Sequence, residues 1–245
     1  MKNKLVLALE ILMIVVLIIS CTGQKGEQGP TGPQGPAGPQ LPGMYFIRLF
    51  QNGVYSATYA GQVESCIFIG YSGPVYTDNT MSVKIGQTDN YGTYRALLKF
   101  DLSSLPKSKI IVDKAELTIK TNSNHYGDGA KNIKIHKITS PWVVFQNGWY
   151  VSSNTSSWNN PGGDYDLNTI TPKTATVDIL PNSTITIELD TKVVQDWMEH
   201  PETNYGIIFI GANEFIKDNY AEIYPSGASD PSNRPMLKVY YYTVE

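Results

Sequence analysis

The stretch Tyr94-Arg95-Ala96-Leu97-Leu98-Lys99-Phe100-Asp101-Leu102-Ser103 decides the fold class. Ala96, Leu98, Phe100 and Leu102 alternate with Arg95, Leu97, Lys99 and Asp101, the period of two that belongs to a β-strand with one face in the core. The second set predicts a wet face carrying two cations. Downstream, Ala115, Leu117 and Ile119 alternate with Glu116, Thr118 and Lys120 in the same way. A Ser103–Asp113 connection and an Asp89-Asn90-Tyr91-Gly92 turn make these two segments expected antiparallel neighbours.

Outward from this pair, short apolar-patterned segments alternate with Gly, Asn, Asp, Ser and Pro, as in a sandwich or barrel. The expected strands are 45–50, 65–69, 81–85, 94–102, 115–120, 133–138, 174–179, 184–189, 206–211, 221–224 and 236–242. Ile207-Ile208-Phe209-Ile210 is apolar on both faces and predicts a central strand covered on both sides. One helix is expected over 191–200, with Asp190 as N-cap, Pro201 as stop, and Val193, Val194, Trp197 and Met198 on its buried side. No boundary signal follows Gly43, so 44–245 reads as one all-β domain.

The N-terminal region has a different character. Lys2 and Lys4 precede an apolar run from Leu5 to Ile19 broken only by Glu10, the architecture of a secretory signal. Ile18-Ile19-Ser20-Cys21 resembles a bacterial lipobox, which implies a signal peptide over 1–20, lipidation of Cys21 and a bacterial cell-surface location, lipid-anchored and facing outside the cytoplasm. An uncleaved signal anchor is the alternative. From Gly23 to Gln40, glycine falls at every third position, and prolines follow the last four. Only glycine fits at the axis of a collagen triple helix, so 21–43 reads as a collagen-like stalk, whose triplets from Gly23 to Gln40 would reach about 50–60 Å if extended at about 3.1 Å per residue. Either a homotrimer or a single proline-stiffened spacer fits this segment.

Composition limits the function classes. The chain has 245 residues, a formal net charge of −3 and 17% charged residues, with no Lys/Arg-rich run; nucleic acid is therefore not the expected partner. Cys21 and Cys66 lie in unrelated contexts, and no disulfide is expected between them. No Gly-x-Ser-x-Gly or His-Glu-x-x-His motif accompanies the three histidines His125, His136 and His200, so the expectation is a non-enzyme. A lyase or hydrolase using Tyr, Arg or paired carboxylates would leave no local signature.

Four blocks in order carry a family resemblance: Gln51-Asn52-Gly53 through Tyr59-Ala60-Gly61 to Glu64-Ser65; Arg95–Ser103 with Ala115-Glu116-Leu117; Ser157-Trp158-Asn159-Asn160-Pro161; and Val194–Trp197 with Asn204-Tyr205-Gly206 and Arg234–Leu237. Together they span nearly all of 50–245 and resemble the DNRLRE domain, also classed as carbohydrate-binding module family 96. The chain departs from that pattern at Glu64, where Asp is usual, at Ser157, where Thr is usual, and by an insertion at Val143–Ser156. The resemblance implies a jelly-roll-like β-sandwich that binds polysaccharide, in the best-known cases an acidic one such as alginate.

Two ligand surfaces follow from the residues. If the strands are neighbours, Arg95, Lys99, Lys120, Lys134 and His136 share a basic sheet face, with Lys238 on a further strand, suited to uronate carboxylates. A solvated face balanced by Asp101 and Glu116 is the bland alternative. The second surface is an aromatic loop set, Trp142, Trp149 and Tyr150 with Tyr126, whose rings would stack on sugar faces if exposed and would be core if folded back. Trp158 and Trp197 are assigned to the core. No cofactor is expected; Asp128, Asp164 and Asp166 are calcium candidates in Gly/Asn-rich loops, with ordinary turn chemistry as the alternative. A structural or adhesive head that binds protein is the competing function.

Overall fold

The computed structural model describes residues 43–56, 58–69, 83–87, 92–107, 109–123, 131–214, 216 and 219–244. The leader, Cys21, the Gly-X-Y triplets, most of the Asp89–Gly92 turn, Tyr126 and Asp128 lie outside them. In chain order the strands are β1 (Tyr45–Phe50), β2 (Gln62–Ile69), β3 (Val83–Gln87), β4 (Thr93–Phe100), β5 (Ile110–Lys120), β6 (Lys131–Ile138), β7 (Val151–Ser153), β8 (Ser156–Ser157), β9 (Tyr165–Thr169), β10 (Val177–Ile179) and β11 (Thr184–Leu189). Helix α1 (Thr191–Glu199) follows, then β12 (Ile207–Gly211), β13 (Asn219–Ile223) and β14 (Met236–Thr243).

Two antiparallel sheets face each other. The first has the order β1-β14-β5-β11; the second runs β10-β6-β12-β4-β3-β13, with β2 on the other side of β4 and β9 beside β6. At one margin β13 crosses toward the first sheet, where Thr121 bridges Ile223 and the Tyr224 N–H donates to the Lys120 carbonyl at 2.9 Å. The result is an all-β, jelly-roll-like sandwich with one short helix. Its interior holds Leu98, Phe100, Leu117, Ile119, Ile135, Phe209 and Val239, all buried.

The alternation in β4 finds its core face correctly: Ala96, Leu98, Phe100 and Leu102 are all buried. Its partners differ from expectation. β4 pairs with β2, β3 and β12, while β5 pairs with β11 and β14 in the opposite sheet. The 101–109 connection is a crossover between layers, not a hairpin. Alternation reveals which face a strand buries but carries no information about its hydrogen-bonded neighbour.

The expected wet face is also corrected. Leu97 is 1% exposed, and a second apolar cluster of Ile67, Leu97, Ile138, Trp149, Trp158, Ile208 and Ile210 lies outside the second sheet. The segment between β6 and β9 supplies both tryptophans and lies over the sheet. β12 is therefore central and covered on both sides, as its continuous apolar run predicts, with Phe209 in one cluster and Ile208 in the other.

Helix α1 begins where expected. Asp190 caps it by accepting from the Lys192 N–H at 2.8 Å, and Val194, Trp197 and Met198 are buried. It is tied to the start of β5 by Gln195, which accepts from the Val112 N–H at 2.8 Å and donates to the Ile110 carbonyl at 3.1 Å.

Candidate functional site

Three strands of the second sheet position the candidate site. In the register across β4, β12 and β6, Leu97 lies opposite Ile208 and Ile208 opposite His136, all on the outer face. Two residues along, Arg95 and Lys134 occupy the same face, with Lys134 opposite Ile210. β9 runs beside the C-terminal half of β6 and raises a wall there. Arg95, Lys134, His136, Tyr165, Leu167, Asn168, Thr169 and Glu214 border the resulting open groove of about 760 Å³.

Arg95 forms the groove's inner corner. Its Nε and Nη2 donate to the two Glu214 carboxylate oxygens at 2.8 and 2.6 Å, and its Nη1 donates to the Gly162 carbonyl at 2.8 Å. The guanidinium also stacks over Trp149, 4.7 Å from the ring centroid. Burial acts to discharge it, but the Glu214 hydrogen bonds and charge outweigh burial and hold its pKa above the usual value. Gly162 has φ +92, and a Cβ there would come within 2.6 Å of Arg95 Nη1 and 2.9 Å of Trp149. Glycine is thus required by both conformation and space. Bidentate pairing, stacking and the carbonyl contact engage three of the five N–H donors of Arg95 internally, making it a structural pin rather than an open cation.

His136 is buried on the groove floor. Its Nδ1–H donates to the Asn168 carbonyl at 3.2 Å, and its ring lies 5.0 Å from that of Tyr165. Burial is the main cause of a pKa below the ordinary histidine value, which keeps the ring neutral near pH 7 and leaves Nε2 as an acceptor. Lys134 is half-buried on the same strand and forms no ion pair among the described residues. It is the cation of the groove lining that has no such carboxylate partner. Leu167, 86% exposed, gives the β9 wall an apolar crest beside Tyr165.

The remaining expected residues are dispersed. Lys99 lies on the outer face of β4, opposite Val63, away from the groove lining. Lys120 belongs to the other sheet, where its Nζ donates to Ser232 Oγ at 3.4 Å and Asn233 Oδ1 at 3.3 Å; Lys238 is in that sheet too. The five-residue basic face is thereby corrected to a groove containing three of them: Lys120 is in the other layer with β5, and Lys99 shares the outer face of β4 but lies outside the groove lining.

The aromatic loop set is likewise corrected. Trp149 is buried, and Trp142 is half-buried with its indole N–H donating to the Tyr205 carbonyl at 2.8 Å. Trp158 is buried as assigned, donating to the Gly148 carbonyl at 2.8 Å. Among the described residues of the expected platform, Tyr150 alone is exposed. These rings cover the apolar outer face of the sheet, where burial is favourable, instead of facing solvent.

The acidic loop residues act as turn formers. Asp164 accepts from the N–H groups of Asn159 and Asn160 at 3.0 and 2.8 Å and from both side-chain amides. Burial pushes its pKa up, but these hydrogen bonds prevail and hold it below the usual range. Asp166 accepts from the Asn168 N–H at 2.9 Å. Among the described residues no group of three His, Cys, Asp or Glu side chains is placed to hold a metal ion.

Sequence reasoning missed Tyr165, Leu167, Asn168 and Glu214. The signal for β9 was present in Tyr165-Asp166-Leu167-Asn168-Thr169, an alternation that places Leu167 between polar neighbours. Nothing local indicated Glu214, which reaches Arg95 across 119 positions of sequence. In comparisons with known proteins, no family model matches the chain and no curated protein matches it.

Proposed function

We propose that the protein is a bacterial surface lipoprotein whose β-sandwich head binds an extracellular or cell-wall polysaccharide of uronate type in the β6–β9–β12 groove, without cleaving it. The observation that carries this reading is the pairing, in one open groove, of the cation Lys134 with the apolar crest of Tyr165 and Leu167. A uronate unit has a carboxylate on a ring whose C–H faces are apolar, and the groove offers a partner to each part. Asn168 and the His136 ring add hydrogen-bonding groups for hydroxyls. The internal Arg95–Glu214 pair contributes a rigid corner and no net charge, so recognition of the carboxylate falls to Lys134. The basic n-region, the Cys21 context and the Gly-X-Y triplets support the anchored, outward-facing placement.

Nothing among the described residues points to catalysis. The acidic groups near the groove are committed, Glu214 to Arg95 and Asp164 to a turn, and His136 has no carboxylate hydrogen-bonded to it. A non-catalytic binding head follows as the proposal.

The test is affinity electrophoresis of the full chain in gels containing uronate or neutral polysaccharides, at low and high salt, with reducing ends measured in parallel. The expected result is salt-sensitive retardation by uronates, loss of most of it in Lys134→Ala, and no reducing-end release. Retardation unaffected by Lys134→Ala would remove the groove from the account, and release of reducing ends would identify an enzyme.

A further inference from the structure

We propose that Lys84 and Asn122 become joined by an isopeptide bond that the fold makes unaided, with Glu222 carrying the proton between them. The bond ties β3 to the end of β5 and closes one margin of the sandwich covalently.

The three side chains meet where β13 crosses from the second sheet toward the first. Lys84 on β3 lies directly opposite Glu222 on β13, a pairing that sets their Cβ atoms about 4.5–5.5 Å apart. Lys84 Nζ is 3.6 Å from Glu222 Oε1, and Asn122 Nδ2 donates to Glu222 Oε2 at 3.0 Å. One carboxyl group therefore stands between an amine and a carboxamide, with an oxygen on each. The backbone holds both partners in place. The Asn122 N–H donates to the Glu222 carbonyl at 3.2 Å, and the Asn122 carbonyl accepts from the Asn182 N–H at 3.1 Å. The Lys84 carbonyl accepts from the Cys66 thiol at 3.5 Å.

The surroundings favour reaction over a plain ion pair. The Glu222 side chain is 4% exposed, and Lys84 Nζ lies 5.4 Å from the Tyr94 ring centroid and 5.7 Å from that of Tyr220. Burial penalises the charged forms of both groups, so transfer of one proton from Nζ to Glu222 costs less here than in water. It leaves a neutral amine, which is the nucleophile, and a carboxylic acid. A carboxamide on the second oxygen brings with its N–H a carbonyl carbon that this amine can attack.

The step balances without a further reactant. Lys84 Nζ attacks Cγ of Asn122, and the Nζ–Cγ bond forms. Glu222 takes a proton from Nζ through Oε1 and gives one to Nδ2 through Oε2; the Cγ–Nδ2 bond breaks and ammonia leaves. Nζ keeps one hydrogen as an amide, Glu222 ends the step as the neutral acid, and nothing is oxidised or reduced. Holding the reacting groups together and relaying the proton are the two means by which a slow acyl transfer is accelerated.

The test is mass spectrometry of tryptic peptides from the denatured full chain. The expected result is blocked cleavage after Lys84 and recovery of 49–95 and 121–131 as one branched peptide. It is lighter than the two together by one ammonia, and fragmentation places the branch at Asn122. Glu222→Gln, checked for a wild-type circular dichroism spectrum, should yield the two peptides separately. Glu222→Asp keeps the carboxyl but draws it back by one carbon, and should link about 10²-fold more slowly after refolding. Separate peptides from the wild type would overturn the proposal and leave the cluster an ion pair. A branch at another residue would overturn the assignment of Asn122, and linking at the wild-type rate in either Glu222 variant would overturn the relay.

Discussion

Glu64 enters the sandwich from β2 almost fully buried, with one carboxylate oxygen accepting from the Ser226 N–H and hydroxyl at 2.8 and 2.9 Å and the other without a partner among the described residues. Burial pushes its pKa up to about 7, against the partial relief of the Ser226 hydrogen bonds. Between about pH 4.5 and 7 the native state therefore holds a proton that the unfolded state has released. Its stabilising contribution is complete below about pH 4.5 and is lost as pH rises through 7, on the order of 3 kcal/mol at about 1.4 kcal/mol per unit. Urea midpoints measured across this range should fall with pH in the wild type and stay flatter in Glu64→Gln; equal slopes in both would show that Glu64 is not the titrating group.

Arg95 yields a second prediction at the residue scale. Removing it leaves Glu214, 16% exposed on its side chain, without its cation. Loss of one partner of a buried pair costs about 3–5 kcal/mol, so Arg95→Ala should be destabilised by about that much in chemical denaturation. A change below about 0.5 kcal/mol, the range of ordinary surface substitutions, would show that Arg95 is an open surface cation after all.

At the scale of elements, the strands with clean alternation were legible: β1 and β11 have the expected bounds, β4 shows its core face, and the two-sided run of β12 predicts its central place. Strand neighbours were not legible, because pairing is set by contacts distant in sequence. The cover made by the 139–165 segment was also hidden, since a tryptophan in a polar loop has the same local pattern whether it stacks on a sugar or closes a sheet. Trp158, buried and hydrogen-bonded to Gly148, should behave as core: Trp158→Ala is expected to cost about 3–5 kcal/mol, read as a lower urea midpoint. A folded variant with unchanged stability and altered polysaccharide binding would instead place it on a ligand surface. Gln195 makes a milder test of how α1 attaches to β5. Gln195→Ala removes two hydrogen bonds to the backbone of β5, at about 0.5–1.5 kcal/mol each, and thermal unfolding should show the loss without any change in ligand affinity.

For the whole molecule, the fold divides the expected basic face between two sheets and leaves a smaller site with a clearer division of labour. Arg95 and Glu214 brace the groove, His136 is neutral on its floor, and Lys134 lines it beside Tyr165 and Leu167. Half of this was legible from residue type and face: Arg95, Lys134 and His136 were brought together by alternation in β4 and β6. The rest depended on β9 and on Glu214, whose place is fixed only when the strands assemble.

The central claim is that uronate polysaccharide occupies this groove, and titration of a uronate oligosaccharide into the isotopically labelled protein, followed by amide chemical shifts, tests it most directly. The account predicts saturable shifts concentrated at Lys134, Tyr165, Leu167, Asn168 and Glu214, abolished by Lys134→Ala while the remaining spectrum is retained. Shifts centred on Tyr45 and Tyr242, or no shifts at saturating oligosaccharide, would contradict it.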